Sequence, residues 1–201
     1  FAVLFVHALF VYPAILSLFG RLSPIKFLLK LKALALFAFT TASSNATIPV
    51  TLETVEKRIG VSNKIASFTV PLGATINMDG TAIMQGIATG FIAQYYGIDL
   101  TMSQYLMVVV MVILASIGTA GVPSVGLVVL AGVLSQVGLP AEGIALILGV
   151  DRLLDMTRTV VNITGDSMVT TIVAKSEGEL DLDVFNDPRA GFEFEGQAAS
   201  S

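Results

Sequence analysis

One segment near the end of the chain carries acidic, basic and amide side chains at helical spacing. The sequence DRLLDMTRTVVNITGD places five polar groups at offsets of 0, 4, 7, 11 and 15, and these are Asp151, Asp155, Arg158, Asn162 and Asp166. At about 100° per residue, all five fall within about 80° of one helix face. The opposite face is apolar and carries Leu153, Val160, Ile163 and Val169. Charged groups in a membrane helix are costly unless they are paired or hydrated, so this stripe predicts a functional site.

Arg158 and Asp155 suggest a ligand that carries both charges. The planar guanidinium of Arg158 suits a carboxylate, and Asp155, one turn earlier, can accept hydrogen bonds from an ammonium group. A ligand with an amine and a side-chain carboxylate would satisfy both residues, and a second carboxylate could use backbone N–H groups at a hairpin tip. The alternative is an internal ion pair at i and i+3, which would not explain Asn162 and Asp166.

The remaining polar groups form an all-oxygen set that suits a hard cation such as Na⁺. The set comprises Asn77, Asp79, Thr75, Asn162 and Asp166, together with free backbone carbonyls. Three blocks of small residues interrupt the apolar runs, at 43–49, 77–81 and 116–126. Non-helical backbone at membrane depth is tolerated only inside protein or beside water, where its carbonyls bind cations and its N–H groups bind anions.

The composition excludes several classes of protein. Of the 201 residues, 54% are hydrophobic and 13% are charged, which is too little charge for the polar shell of an ordinary soluble domain. The scarcity of Lys and Arg argues against a nucleic-acid partner. The sequence has no cysteine and so no cysteine–zinc site, and its one histidine, His7, is interpreted as a packing residue.

Four runs with at most one charge position these groups, at 1–19, 33–52, 65–96 and 102–141, together with a fifth run at 143–174 that carries five charges in its middle. Basic patches flank 33–52 on both sides, whereas the loops around 102–141 contain no Lys or Arg. By the positive-inside rule, each of these two runs should enter and leave the membrane on the same face. We therefore predict two re-entrant hairpins, each followed by a polar helix, in an inverted repeat. The alternative is that 118–126 only kinks one long helix.

Four motifs resemble one known family, and they stand in the order SSNATIP, PLGATINMDGT, ASIGTAGVP and LDMTRTVVNITGD. The chain resembles, over about 175 residues, the dicarboxylate/amino acid:cation symporters, the family of the glutamate transporters. The resemblance implies an all-α, multi-pass protein of the plasma (inner) membrane that assembles as a homotrimer, contacts membrane lipid and moves its substrate by an elevator mechanism, with the second hairpin as the outer gate. It is not expected to be an enzyme or to use a cofactor other than the coupling ion.

The resemblance also divides the chain. Residues 1–20 are expected to be the end of a truncated transmembrane helix, so the chain would be a C-terminal fragment. Residues 21–175 would form the transport domain. Residues 1–175 hold ten basic and eight acidic residues, whereas 176–201 hold one basic and seven acidic residues. We therefore expect 176–201 to be an acidic, disordered cytoplasmic tail.

The family pattern implies roles for individual residues. The substrate would be held by Ser43, Ser44, Thr81, Val122, Gly126, Asp155, Arg158, Thr159 and Asn162. One sodium ion would be bound by Gly73, Asn77, Asn162 and Asp166, and a second by Thr75, Met78, Ser116, Ile117 and Thr119. A third would involve Asn77 and Asp79 with partners outside this chain.

The same pattern implies the substrate class. Arg158 is similar to members with acidic substrates, Asp155 to amino acid transporters, and Asp166 to sodium-coupled members. The sequence thus predicts a Na⁺-coupled symporter for glutamate or aspartate. Ala42 stands where some members have Arg, and Asn45 replaces a serine. A proton-coupled glutamate symporter or a C4-dicarboxylate symporter of the same fold, and an ion channel, are the alternatives.

Overall fold

The computed structural model describes residues 1–117 and 119–191. Within these residues the regular elements are helices, and one isolated antiparallel bridge pairs Val61 with Leu180. The first helix, α1 (Ala2–Gly20), has a mean hydropathy of 2.2. Among the described residues it is the one helix that is long and apolar enough to cross a membrane. The predicted run at 1–19 therefore forms one apolar helix.

The predicted first hairpin consists of two helices. A short helix, α2 (Pro24–Lys30), precedes them. The two helices of the hairpin are α3 (Lys32–Thr41) and α4 (Ser44–Glu53), and α4 continues into a π-helical turn, Thr54–Ile59. Ala42 ends α3 in the left-handed conformation at φ 50°. The hydroxyl of the extended Ser43 then caps α4 by accepting a hydrogen bond from the Ala46 backbone at 3.2 Å. Helices α3 and α4 pack against each other, so this segment folds back on itself.

The next helix is broken where the sequence predicts it. Helix α5 (Asn63–Ile76) ends at Asn77, and α6 (Asp79–Tyr95) starts after Met78. Asn77 and Met78 leave the helical region, with ψ angles of 72° and 51°. The break frees backbone groups near the middle of the run and turns Asp79 and Gly80 into the first turn of a new helix.

The second apolar run also divides into two helices, α7 (Met102–Ser116) and α8 (Val125–Gln136). Ser124 begins α8 with a left-handed backbone at φ 65°. Helices α7 and α8 contact each other and both pack on α6. The chain therefore reverses between them, and the alternative of one long kinked helix is wrong.

Helix α9 (Ala145–Ser176) contains the polar stripe and is the central element of the fold. It packs against α3, α4, α5 and α6. All five stripe residues are at most 5% exposed. On the predicted apolar face, Leu153 and Val169 are about half exposed, but Ile163 is buried in the larger core. Around Ile163, both faces of α9 are covered by other parts of the chain. The periodicity of the α9 sequence does not reveal this.

The prediction of a disordered tail is wrong for its described part. A short helix, α10 (Leu182–Asn186), follows the Val61–Leu180 bridge, and Phe185 is 1% exposed within the larger core. The segment is rich in acidic residues, but a few apolar side chains are enough to pack it against the core. The rest of the predicted tail, 192–201, lies outside the described residues.

Candidate substrate and cation site

The tips of the two hairpins, the break before α6 and the stripe of α9 meet around one cavity. The space that a water-sized molecule can occupy there is about 10 Å³. Its lining comprises Ala42, Ser44, Met78, Thr81, Thr119, Ala120, Gly121, Val122, Gly126, Asp155, Arg158, Thr159 and Asn162. Eight of the nine residues predicted to hold a substrate are in this lining, and Ser43 stands beside it.

Asp155 and Arg158 form a buried ion pair in the cavity wall. The guanidinium Nη2 and Nε lie 2.8 Å and 2.9 Å from Asp155 Oδ1. Arg158 Nη1 is buried without a hydrogen-bond partner. Asp155 Oδ2 accepts a hydrogen bond from the Ser124 backbone at 2.7 Å. The alternative of an internal pair is therefore realised, but it leaves one guanidinium nitrogen unsatisfied, and a buried unpaired donor is costly.

Asn162 attaches α9 to the broken helix. Its Oδ1 accepts a hydrogen bond from the Gly80 backbone at 2.8 Å, and its Nδ2 donates to Thr81 Oγ1 at 3.4 Å. A Cβ at Gly80 would lie 2.6 Å from the Arg158 carbonyl oxygen, so the two helices touch backbone to backbone. The Thr159 hydroxyl donates to the carbonyl of Asp155 at 2.8 Å. These contacts set the position of the stripe relative to the break.

The two hairpin tips contact each other directly. The Ser43 hydroxyl donates to the Gly121 carbonyl at 2.6 Å, and the Asn45 backbone donates to the same oxygen at 3.1 Å. Ser43 thus joins the tips, while Ser44 lines the cavity. Val122 lies in the lining but is 43% exposed. A Cβ at Gly126 would overlap the Arg158 guanidinium, so the second tip approaches the ion pair as closely as a backbone can.

Asp166 and Asp79 lie in two further polar clusters, and neither side chain lines the cavity. Asp166 is 3% exposed and accepts a hydrogen bond from Asn77 Nδ2 at 2.9 Å. A Cβ at Gly73 would lie 2.7 Å from Asp166 Oδ1. Asp79 Oδ2 accepts a hydrogen bond from Tyr12 at 2.9 Å and lies 3.2 Å from His7 Nε2. The structure therefore brings together Gly73, Asn77 and Asp166, and it gives Asp79 partners on α1.

The second predicted sodium set is only partly assembled. Met78 and Thr119 line the same cavity. Thr75 is exposed and donates its hydroxyl to the Pro71 carbonyl at 3.0 Å. Ile117 is 51% exposed, and the hydroxyls of Ser116 and Thr119 donate to carbonyls of their own segment, Ile113 and Ala115. Among the described residues, no three His, Cys, Asp or Glu side chains cluster as a metal site. The oxygen donors available are therefore carbonyls, amides, hydroxyls and single carboxylates.

Four further residues were not among those predicted to hold the substrate or a cation. Tyr12 and His7 lie in an apolar run whose pattern shows only a membrane helix. Gln85 is 0% exposed; its Nε2 donates to the Gly126 carbonyl at 3.3 Å, and its Oε1 has no partner. Asp151, on the predicted stripe, is 5% exposed and has a buried Oδ1 without a partner. Of these four residues, the sequence indicated Asp151 alone, through its place on the polar stripe.

Residues 1–176 match the family described as the sodium:dicarboxylate symporter family, and the chain belongs to this family of membrane transport proteins. It is 45% identical over 184 residues to excitatory amino acid transporter 3 of Mus musculus, and this match covers 90% of this chain and 35% of that protein. It is 43% identical over 176 residues to the proton/sodium-glutamate symport protein of Bacillus subtilis (strain 168), covering 88% of this chain and 40% of that protein. It is 40% identical over 184 residues to neutral amino acid transporter A of Bos taurus, covering 89% of this chain and 35% of that protein.

The chain thus spans little more than a third of the length of the curated relatives it matches. The family resemblance that the four motifs predict is confirmed. The relatives are named as transporters or symporters rather than as enzymes, in agreement with the sequence prediction.

Proposed function

We propose that this chain is the transport domain of a secondary active symporter that takes up glutamate or aspartate together with Na⁺. One observation carries the proposal. Asp155 and Arg158 are buried at 2% and 3% exposure in a cavity between two hairpin tips, and Arg158 Nη1 has no partner there. A ligand that carries both a positive and a negative group can bind both members of this ion pair and satisfy the free donor.

An acidic amino acid supplies both charges that the pair needs. Its ammonium group can replace Arg158 at Asp155, and its side-chain carboxylate can replace Asp155 at Arg158. Removing one partner from a buried pair is strongly destabilising, so a ligand must compensate both ends to open it. A neutral amino acid would leave Arg158 without its anion, and a C4-dicarboxylate would leave Asp155 without its cation. The site therefore favours glutamate or aspartate over both.

The position of the buried Asp166 carboxylate beside Asn77 and Gly73 supports Na⁺ as the coupling ion. Asn77 and Gly73 adjoin the Asp166 carboxylate, and hard cations take carboxylate, amide and backbone oxygens. The Bacillus subtilis relative is named as a proton/sodium symporter, so proton coupling is the alternative outcome of the test. Asp79, held by Tyr12 and His7, belongs to the third proposed cation site.

We extend the proposal to the assembly. The two helix pairs would be re-entrant hairpins in an inverted repeat, and residues 21–175 would move as an elevator against a scaffold supplied by the rest of a homotrimer. Large apolar side chains support this. Phe10, Phe68 and Leu114 are each more than 60% exposed in this chain and need lipid or scaffold to cover them. The described tail would face the cytoplasm of a plasma (inner) membrane.

The test uses the full-length protein reconstituted in liposomes. Uptake of labelled glutamate, aspartate and a C4-dicarboxylate is followed under an inward Na⁺ gradient, and then under an inward proton gradient without Na⁺. Saturable accumulation of the amino acids with Na⁺ alone is the expected result. Accumulation driven by protons alone would contradict the sodium assignment, and non-saturable flux would favour a channel.

A matched pair of arginine variants tests the site. Arg158→Ala should abolish saturable uptake, because the carboxylate loses its bidentate partner and Asp155 becomes an unpaired buried charge. Arg152→Ala removes the same side chain from an exposed position on the same helix and should retain uptake. Equal loss in both variants would contradict the assignment of Arg158.

A further inference from the structure

The segment after α9 turns back and pairs with the start of α5. The Asp181 backbone donates to the Gly60 carbonyl at 2.8 Å, and the Ser62 backbone donates to the Glu179 carbonyl at 3.0 Å. The family match ends at residue 176, just before this segment begins. The returning segment therefore lies outside the part of the chain that the family model matches.

Gly60 permits this approach. Its φ of +93° is a left-handed backbone that side chains disfavour, and a Cβ there would lie 2.6 Å from the Asp181 carbonyl oxygen. The turn that ends the first hairpin is thus shaped to receive the returning segment. Val61, next along the chain, faces Leu180 in the antiparallel bridge.

Lys30 joins three parts of the chain at this point. Its ammonium donates to the carbonyls of Arg58 at 2.5 Å, Val184 at 2.9 Å and Asp187 at 2.7 Å, and the side chain is 5% exposed. An ammonium has three donors and all are used. The acceptors lie at or near the ends of helical segments, where carbonyls lack helical partners. Loss of the ammonium would leave these carbonyls without their shared donor.

Phe185 supplies the apolar part of the same contact. It is 1% exposed and belongs to the core cluster that contains Phe27, Ile59 and Val61. Lys26, one turn before Lys30 on α2, is exposed and donates to the side chain of Asn186 at 2.7 Å. The two lysines thus have the same charge and the same helix but different burial.

We propose that residues 177–191 form an intramolecular clasp, with Lys30 and Phe185 as its anchors, that fixes the base of the first hairpin to α2 and to the end of α9. The clasp stays closed while the protein works. Ser43 and Ser44, at the other end of that hairpin, keep their place beside the cavity because its base cannot move away from α9. The statement about transport rests on the proposed function, whereas the clasp itself does not.

Cysteine accessibility tests the clasp without reference to transport. The chain has no native cysteine, so a single Val61→Cys is placed beneath Leu180 in the full-length protein, with any cysteines elsewhere in it replaced. Its rate of labelling by a maleimide is compared in the parent, Lys30→Met and Lys26→Met. Lys30→Met should raise the rate about tenfold or more, since buried acceptors lose their donor, and Lys26→Met should change it less than about twofold. Equal rates in the two variants would overturn the proposal.

A disulfide tests whether the clasp stays closed. Opposed residues in an antiparallel bridge have Cα atoms close enough for a disulfide, so Val61→Cys with Leu180→Cys should cross-link on oxidation. The oxidised and reduced proteins should take up glutamate at the same rate. Uptake lost on oxidation and regained on reduction would overturn the closed clasp.

The cross-link also covers failure of Lys30→Met to fold. Added to that variant, it should restore the yield and thermal stability of the parent, and a cross-linked variant that stays unstable would overturn the role of Lys30. A protein that transports neither amino acid but shows the difference between the two lysine variants would contradict the proposed function and retain the clasp.

Discussion

Asp155 Oδ2 accepts a hydrogen bond from the backbone N–H of Ser124 at 2.7 Å while Oδ1 pairs with Arg158. One carboxylate thus joins α9 to the start of α8. A ligand that binds Asp155 would share this carboxylate with both partners. The position of the second hairpin tip and the occupancy of the cavity are therefore linked through this side chain.

Asp155→Asn should lower kcat/KM for glutamate by about 100-fold or more, because Arg158 is left without its counter-charge and the substrate ammonium without its anion. The amide oxygen can still accept the Ser124 hydrogen bond, but the unpaired Arg158 should also lower the melting temperature, so uptake is compared at equal amounts of folded protein. Uptake kinetics in liposomes measure the effect. Asp99→Asn, an exposed loop carboxylate, is the control, and uptake that survives in Asp155→Asn would contradict the assigned role.

Gly126→Ala should abolish uptake. A Cβ there overlaps the Arg158 guanidinium, so the tip or the ion pair must shift. Gly132→Ala is the matched control on the same helix, since no atom lies within 4 Å of its Cβ. Alanine is favoured over glycine in a helix by up to about 1 kcal/mol, so the control should be neutral or slightly more stable. Initial uptake rates and melting temperatures of both variants provide the comparison, and a fully active Gly126→Ala would refute the close approach.

Gly73→Ala should raise the Na⁺ concentration needed for half-maximal uptake by about tenfold, because its Cβ would lie 2.7 Å from Asp166 Oδ1 and displace a cation ligand. Gly86→Ala on α6 has open space around its Cβ and is the control. Uptake measured across a range of Na⁺ concentrations separates the two. An unchanged Na⁺ dependence in Gly73→Ala would remove Asp166 from the proposed cation site.

Acidification should loosen the clasp. The hydrogen bond from Lys64 lowers the pKa of the Glu179 carboxyl from its ordinary value of 4.5. A depressed pKa contributes stability that is present above pH 4.5 and is lost as the pH falls through the folded-state pKa. Because the pair is exposed, the loss should be no more than a few-fold in the opening equilibrium.

Amide hydrogen exchange of 178–187, corrected for the intrinsic rate at each pH, reports this opening. Exchange should accelerate below pH 4.5 in the parent protein. In Glu179→Gln the amide cannot be ionised, so the dependence on pH should be reduced. An identical profile in both proteins would exclude the Lys64–Glu179 pair as its cause.

The polar stripe shows how far periodicity alone can reach. Offsets of three and four residues place Asp155, Arg158 and Asn162 on one face, whatever surrounds the helix. In the structure this face is buried. The same periodicity could not show that Ile163 is buried on the opposite side, because that depends on which helices pack there.

The tail shows the opposite case. Its average charge predicts disorder, but Phe185 and the backbone of Asp181 find partners more than a hundred residues earlier in the chain. The ammonium of Lys30 likewise gains its three acceptors only when α2, the base of the first hairpin and α10 come together. No local pattern contains that information.

The helical class, the breaks at 77–78 and between α7 and α8, the family and most of the cavity lining could be predicted from the sequence. These follow from local spacing, backbone preference and motifs that need no knowledge of distant contacts. The tertiary structure was needed to show that Tyr12 and His7 reach Asp79, and that the tail is folded as far as residue 191. Each of these depends on side chains from elements far apart in sequence, and their partners are selected by packing rather than by periodicity.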